Sequence, residues 1–205
     1  VNENNSYYVG LGYTYNKISN FAYEYNRDLY MKSMNLTGNS IKTNDFDFSF
    51  GWNYNSLNRG YFPTKGVKAN LGGRVTIPGS DNKYYKLSAE LQGFYPLDRD
   101  HRWVLSGKAT ASYANGLSGK RVPFYQLYTA GGIGSLRGFA YGAVGPNAIY
   151  QDKYGQWYQS TDVVGGNAMA TASVELIVPT PFVGDKSQNS VRTSLFVDAA
   201  SVWNT

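Results

Sequence analysis

Seven stretches of the chain alternate apolar with polar residues at a period of two, the spacing that turns successive strand side chains to opposite faces. Between Tyr7 and Asn16 the odd positions are Tyr7, Val9, Leu11, Tyr13 and Tyr15, and the even ones are small or polar apart from Tyr8. Between Asp45 and Asn55 the row Phe46, Phe48, Phe50, Trp52, Tyr54 opposes Asp45, Asp47, Ser49, Gly51, Asn53, Asn55. The alternation returns over residues 67–77, 85–95, 102–113, 167–178 and 191–200. No apolar row carries a charge, whereas the polar rows hold Lys68, Arg74, Lys86, Glu90, Lys108, Glu175, Arg192 and Asp198. Rings often close the apolar rows, as Tyr7 does with Tyr15, Tyr85 with Tyr95 and Trp103 with Tyr113.

A tilted strand of about 10 residues crosses a bilayer, and amphipathic rings favour the headgroup level on either side of it. The two rows of each stretch therefore read as facing two media, hydrocarbon outside and a wet interior within. That predicts an all-β fold, an antiparallel transmembrane β-barrel. A soluble antiparallel sandwich is the competing reading, since it alternates too.

Loop lengths also alternate. Leu57–Thr64, Asp98–Asp100 and Thr180–Ser190 read as shorter connections at one end; Ile18–Asn44 and Ala114–Gly166 read as long loops at the other, with Pro78–Asn82 a short exception there. Short periplasmic turns and long external loops are the barrel arrangement. Seven strands do not close a single-chain bacterial barrel, which has an even number from about 8 upward, so strands are expected to be missing at both ends.

Composition narrows this picture. Only 16% of the 205 residues are charged, against about 25% in soluble domains, and 19 are tyrosines. Mean hydropathy is -0.42, a soluble-looking value that alternation also produces in barrels. No run of about 18 apolar residues offers a transmembrane helix, and the polar start Val1–Ser6 is not a signal peptide. A net charge of +5 without a basic stripe argues against a nucleic-acid partner. Cysteine is absent, which removes disulfides and thiolate chemistry. His101, the one histidine, stands beside the turn Asp98-Arg99-Asp100 with too few ligands for a metal and a poor setting for a Ser-His-Asp triad. No enzymatic activity and no cofactor are expected. Glu90, Asp45 and Asp47 are expected to coat the interior.

Gly131, Gly132, Gly134 and Gly138 lack the spacing of a nucleotide loop. They are read as allowing tight bends and close approach to a wall. Phe139 and Tyr141 are either packing anchors of this loop or ordinary loop aromatics.

The segment Gly131-Gly132-Ile133-Gly134-Ser135-Leu136-Arg137-Gly138-Phe139 resembles the loop-six signature of the BamA superfamily, a hydrophobic residue followed by Arg-Gly-Phe or Arg-Gly-Tyr. Here the signature is Leu136, Arg137, Gly138 and Phe139, with leucine where valine is common. Val164–Ala170, Pro179–Phe182, Asn189–Ser194, Leu57–Thr64 and Val75–Asn82 are also similar to the BamA branch, and the likeness is weakest over Asn20–Thr43. The resemblance implies that residues 1–205 are a partial C-terminal barrel domain, about seven strands of a sixteen-stranded barrel, with loop six at about 115–166 and POTRA domains absent. It implies a factor in the Gram-negative outer membrane that inserts other β-barrel proteins without ATP. Its implied partners are outer-membrane lipid, unfolded client proteins, accessory lipoproteins and POTRA domains. A two-partner-secretion or TamA-type transporter shares the loop motif and is the alternative. A passive porin, with no need of the motif, is the second.

Arg137 lies in a long, glycine-rich loop, while Glu175 and Asp198 occupy the polar rows of two successive strands. If the loop folds inward, its planar guanidinium comes within reach of one or both carboxylates. The resemblance implies the same arrangement, in which the motif arginine contacts acidic residues on the lumen wall and holds loop six inside.

Overall fold

The computed structural model describes residues 3–19, 24–38, 40–183 and 191–205. Seven strands form one antiparallel sheet: β1 (Asn5–Ser19), β2 (Ser40–Asn55), β3 (Gly66–Thr76), β4 (Tyr84–Pro96), β5 (Val104–Gly116), β8 (Ala168–Val178) and β9 (Thr193–Trp203). Two further strands, β6 (Asn147–Gln151) and β7 (Trp157–Val163), pair with each other inside the connection from β5 to β8.

Strand pairing keeps the two rows apart across the whole sheet. Val9, Phe50, Gly73, Leu87, Tyr113, Ala168 and Trp203 are successive cross-strand partners, all drawn from the apolar rows. Ser6, Asn53, Asn70, Glu90, Thr110, Thr171 and Ala200 form a line on the other face. Leu11 is 81% exposed and Val197 75% exposed. Apolar side chains this bare, on a face that no second sheet covers among the described residues, suit hydrocarbon rather than water.

Rings pack into this sheet where a neighbour lacks a side chain. A Cβ at Gly51 would lie 2.0 Å from the Tyr8 ring on the inner face, and one at Gly73 would lie 2.3 Å from Phe50 on the outer face. In each case glycine leaves room for a ring to lie flat on the adjacent strand.

The segment Ile18–Asn44, read above as a loop, is largely ordered structure. β1 and β2 stay paired as far as Ser19 and Ser40, and α1 (Glu24–Met34) lies between them. Asn35, at φ 55, ends the helix in the left-handed region. The period-two rule failed here because this part of the inner face meets α1 and not water. Ile41 sits on that face and is fully buried with Tyr30 and Met31 of α1.

The connection from residue 117 to residue 167 is likewise more than a loop. It carries a 3-10 turn at Phe124–Gln126 and the β6–β7 hairpin. Below them it runs as a narrow ribbon, pairing Tyr128 with Gly166 and Ala130 with Val144. Of the turn read at Thr180–Ser190, residues 184–190 lie outside the described residues, as do Val1, Asn2, Asn39 and residues 20–23.

Candidate functional site

The tip of this long connection, residues 131–139, folds onto the inner face of β8 and β9. Glycine is required at the bend. Gly131 has φ 125, and a Cβ there would lie 2.2 Å from the Ala140 carbonyl oxygen. The tip closes on itself: Leu136 N donates to Gly132 O at 3.0 Å, and Gly132 N donates to Phe139 O at 3.0 Å. Leu136 is buried and Gly138 has φ 86. Gly134, assigned the same role from sequence, shows neither a left-handed φ nor a close neighbour, so nothing in the fold requires glycine there.

The closed tip presents Arg137 to the wall. Its Nε donates to Asp198 Oδ2 at 2.8 Å and its Nη2 to Asp198 Oδ1 at 2.7 Å, a two-pronged fork on one carboxylate. Nη1 donates to Glu175 Oε2 at 2.8 Å, and Nη2 also donates to Ser173 Oγ at 2.9 Å. The backbone N of Arg137 adds a bond to Asp198 Oδ2 at 3.0 Å. The guanidinium carbon stands 3.5 Å from the centre of the Phe196 ring, so the charge is also held over an aromatic face. These four wall residues form two adjacent cross-strand pairs, Ser173 with Asp198 and Glu175 with Phe196. A polar cavity of about 180 Å³ beside the fork, lined by Gln92, Lys108 and Ser135 among others, leaves room for water.

The structure thus brings Arg137, Glu175 and Asp198 together. Sequence reasoning missed Ser173 and Phe196. The signal for Phe196 was present, an aromatic ring set in a polar row two residues before Asp198. Phe139 is 54% exposed and Tyr141 94% exposed, so neither is buried among the described residues.

A second hold lies at the root of the connection. Lys86 on β4 donates from Nζ to the Gln126 carbonyl at 3.0 Å and to Gln126 Oε1 at 3.3 Å. The same Nζ lies 4.5 Å from the centre of the Tyr128 ring, and burial pushes the Tyr128 hydroxyl up to about 12. Asp45 and Asp47, expected to coat the interior, lie on the inner face and are buried there. Asp47 has Arg74 Nε 3.5 Å away, and Glu90 pairs with Lys108 at 3.2 Å. At the short-turn end His101 shares a hydrogen bond with Thr64 Oγ1 at 2.8 Å, tying two turns together.

Residues 1–205 match the family described as the Omp85 superfamily domain. The chain is 34% identical over 168 residues to the outer membrane protein assembly factor BamA of Neisseria meningitidis serogroup B, covering 82% of this chain and 20% of that protein. The crystal structure of BamA from Haemophilus ducreyi lacking POTRA domains 1–3 superposes with a TM-score of 0.96 and 57% identity, over 100% of this chain and 40% of that one. The chain therefore spans one fifth and two fifths of the lengths of these two relatives.

Proposed function

This chain belongs to the Omp85 superfamily, and we propose that it forms part of the barrel wall and loop six of an outer-membrane protein assembly factor. It lies in the outer membrane of a Gram-negative bacterium. The observation that carries the reading over a passive pore is the docked arginine: four side-chain bonds and one backbone bond hold the tip of loop six to β8 and β9. A passive porin has no need of this motif; a secretion transporter shares it, and against that alternative the reading is supported by the likeness to BamA of Neisseria meningitidis and of Haemophilus ducreyi. The chemistry is non-covalent. The wall offers hydrogen-bonded strands, a clamped loop and a lipid-facing surface, and the substrates are unfolded β-barrel clients. POTRA domains and accessory lipoproteins belong to the same proposal, supported by the naming of the relatives as assembly factors and of POTRA domains in one of them.

The test is Arg137→Ala in the full-length protein. We expect loop six to become protease-sensitive and the assembly of folded client barrels to fall. Full client assembly with a released loop overturns the proposed role of the clamp.

A further inference from the structure

Four separate elements meet at one side-chain amide. Asn82, in the turn between β3 and β4, is fully buried. Its backbone N donates to Asp45 Oδ1 at 2.9 Å and its Nδ2 to Asp45 Oδ2 at 2.6 Å. The same Nδ2 donates to the Tyr125 hydroxyl at 3.1 Å, while Oδ1 accepts from the Tyr30 hydroxyl. Thr43 Oγ1, also fully buried, lies 3.4 Å from the Tyr125 hydroxyl. Tyr30 belongs to α1, Asp45 and Thr43 to β2, and Tyr125 to the 3-10 turn at the root of loop six.

The chemistry is specific to an amide. It donates to a carboxylate and to one phenol while accepting from a second phenol, and no other uncharged side chain carries two donor hydrogens and an acceptor in one plane. Tyr30 also packs edge-on against Phe124, ring centres 5.7 Å apart. Packing brings α1 and the loop root together, and the amide fixes their direction.

We propose that Asn82 is a positioning residue that couples α1 to the root of loop six, so that the two close over the inner face together and come away together. The inference rests on the assembly reading above, because it assigns the coupling to the loop whose clamp that reading uses. Arg137 holds the tip against β8 and β9; Asn82 holds the root beside β2 and β4. Among the described residues the helix contacts the root and β6.

The experiment uses the full-length protein in a background free of other cysteines, carrying Ser33→Cys on α1 and Arg121→Cys at the loop root. These positions adjoin, since the Arg121 backbone N lies 3.4 Å from Ser33 Oγ. The rate of disulfide trapping under mild oxidant reads the contact, measured only on protein that stays compact in unheated detergent gels. Asn82→Asp sets a carboxylate against Asp45 and is expected to slow trapping about tenfold. Adding Asp45→Asn lets the two bonds made by the Asn82 Nδ2 re-form with donor and acceptor exchanged, leaves the backbone and Tyr30 bonds in their original sense, and should return trapping to within about twofold of the parent rate. Unchanged trapping in Asn82→Asp, or no recovery in the double variant, overturns the coupling. If Asn82→Asp gives no compact protein, Tyr30→Phe removes the helix's phenol bonds to Asn82 and Tyr125, and unchanged trapping there overturns the coupling equally. Failure of the assembly reading shows separately, as intact client assembly in Arg137→Ala.

Discussion

Asp198 and Glu175 hold one guanidinium unequally. Asp198 accepts from the Nε, Nη2 and backbone N of Arg137 and from the Ser173 hydroxyl, while Glu175 accepts one bond. The Asp198 side chain is 5% exposed and that of Glu175 24%. Breaking a buried, multiply bonded pair costs on the order of 3 kcal/mol, whereas one charge-assisted bond at a wetter carboxylate is worth about 1 to 2 kcal/mol. We expect Asp198→Asn to speed hydrogen exchange of the loop-tip amides far more than Glu175→Gln does. Arg137→Lys keeps the charge and loses the fork, so its exchange should resemble that of Arg137→Ala more than the parent. Three of the five residues in the clamp are legible in the sequence, because alternation assigns Glu175 and Asp198 to one face and the motif marks Arg137. Ser173 and Phe196 are not, because their part depends on which residues of β8 and β9 stand opposite each other, and that pairing is set by the whole sheet.

At the scale of elements, α1 and the 3-10 turn are held by buried phenols. Burial pushes the Tyr30 hydroxyl up, with Tyr125 and Asp45 nearby adding to the effect. Burial also raises Tyr125, and the neighbouring Asp45 adds to that. Below the ordinary tyrosine value of about 10 both phenols are neutral whether the elements are docked or released, so their contribution to docking is intact. Above it the released form ionises first, and each further pH unit weakens docking by up to about 1.4 kcal/mol per tyrosine until the raised values are passed. Tyrosinate absorbance should therefore lag for these residues and then rise together with slower disulfide trapping between the cysteines of Ser33→Cys and Arg121→Cys. The strands make a separate prediction. Gly51→Ala should destabilise the sheet by about 1 to 3 kcal/mol through displacement of the Tyr8 ring. Combining it with Tyr8→Ala should recover part of that loss, a coupling readable by thermal unfolding in detergent. The strands were legible in sequence because lipid enforces a period of two. The helix α1 was not, since its Tyr30 and Met31 pack on strand residues that no local pattern pairs with it.

For the molecule as a whole, the strongest test is which medium each face meets. Leu91 lies in the middle of the outer face, whereas Thr110, opposite Glu90, lies on the inner one. Leu91→Arg should cost about 2 to 4 kcal/mol of barrel stability in lipid vesicles, and Thr110→Arg less than about 1 kcal/mol, because the lumen is wet and Glu90 is at hand. Equal costs would contradict the two-media reading. The fold class came readily from sequence because the membrane imposes one rule on all seven main strands at once. The capped interior did not, for loops that fold inward obey no such period. The clamp on β8 and β9 carries one more consequence. A slide of β9 by two residues would leave every greasy side chain in lipid, so hydrophobicity alone would not penalise it. Such a slide would carry Asp198 about 7 Å along β8, beyond the reach of Arg137. The arginine thus serves as a gauge of alignment, seating only when β9 has settled against β8 at the right notch.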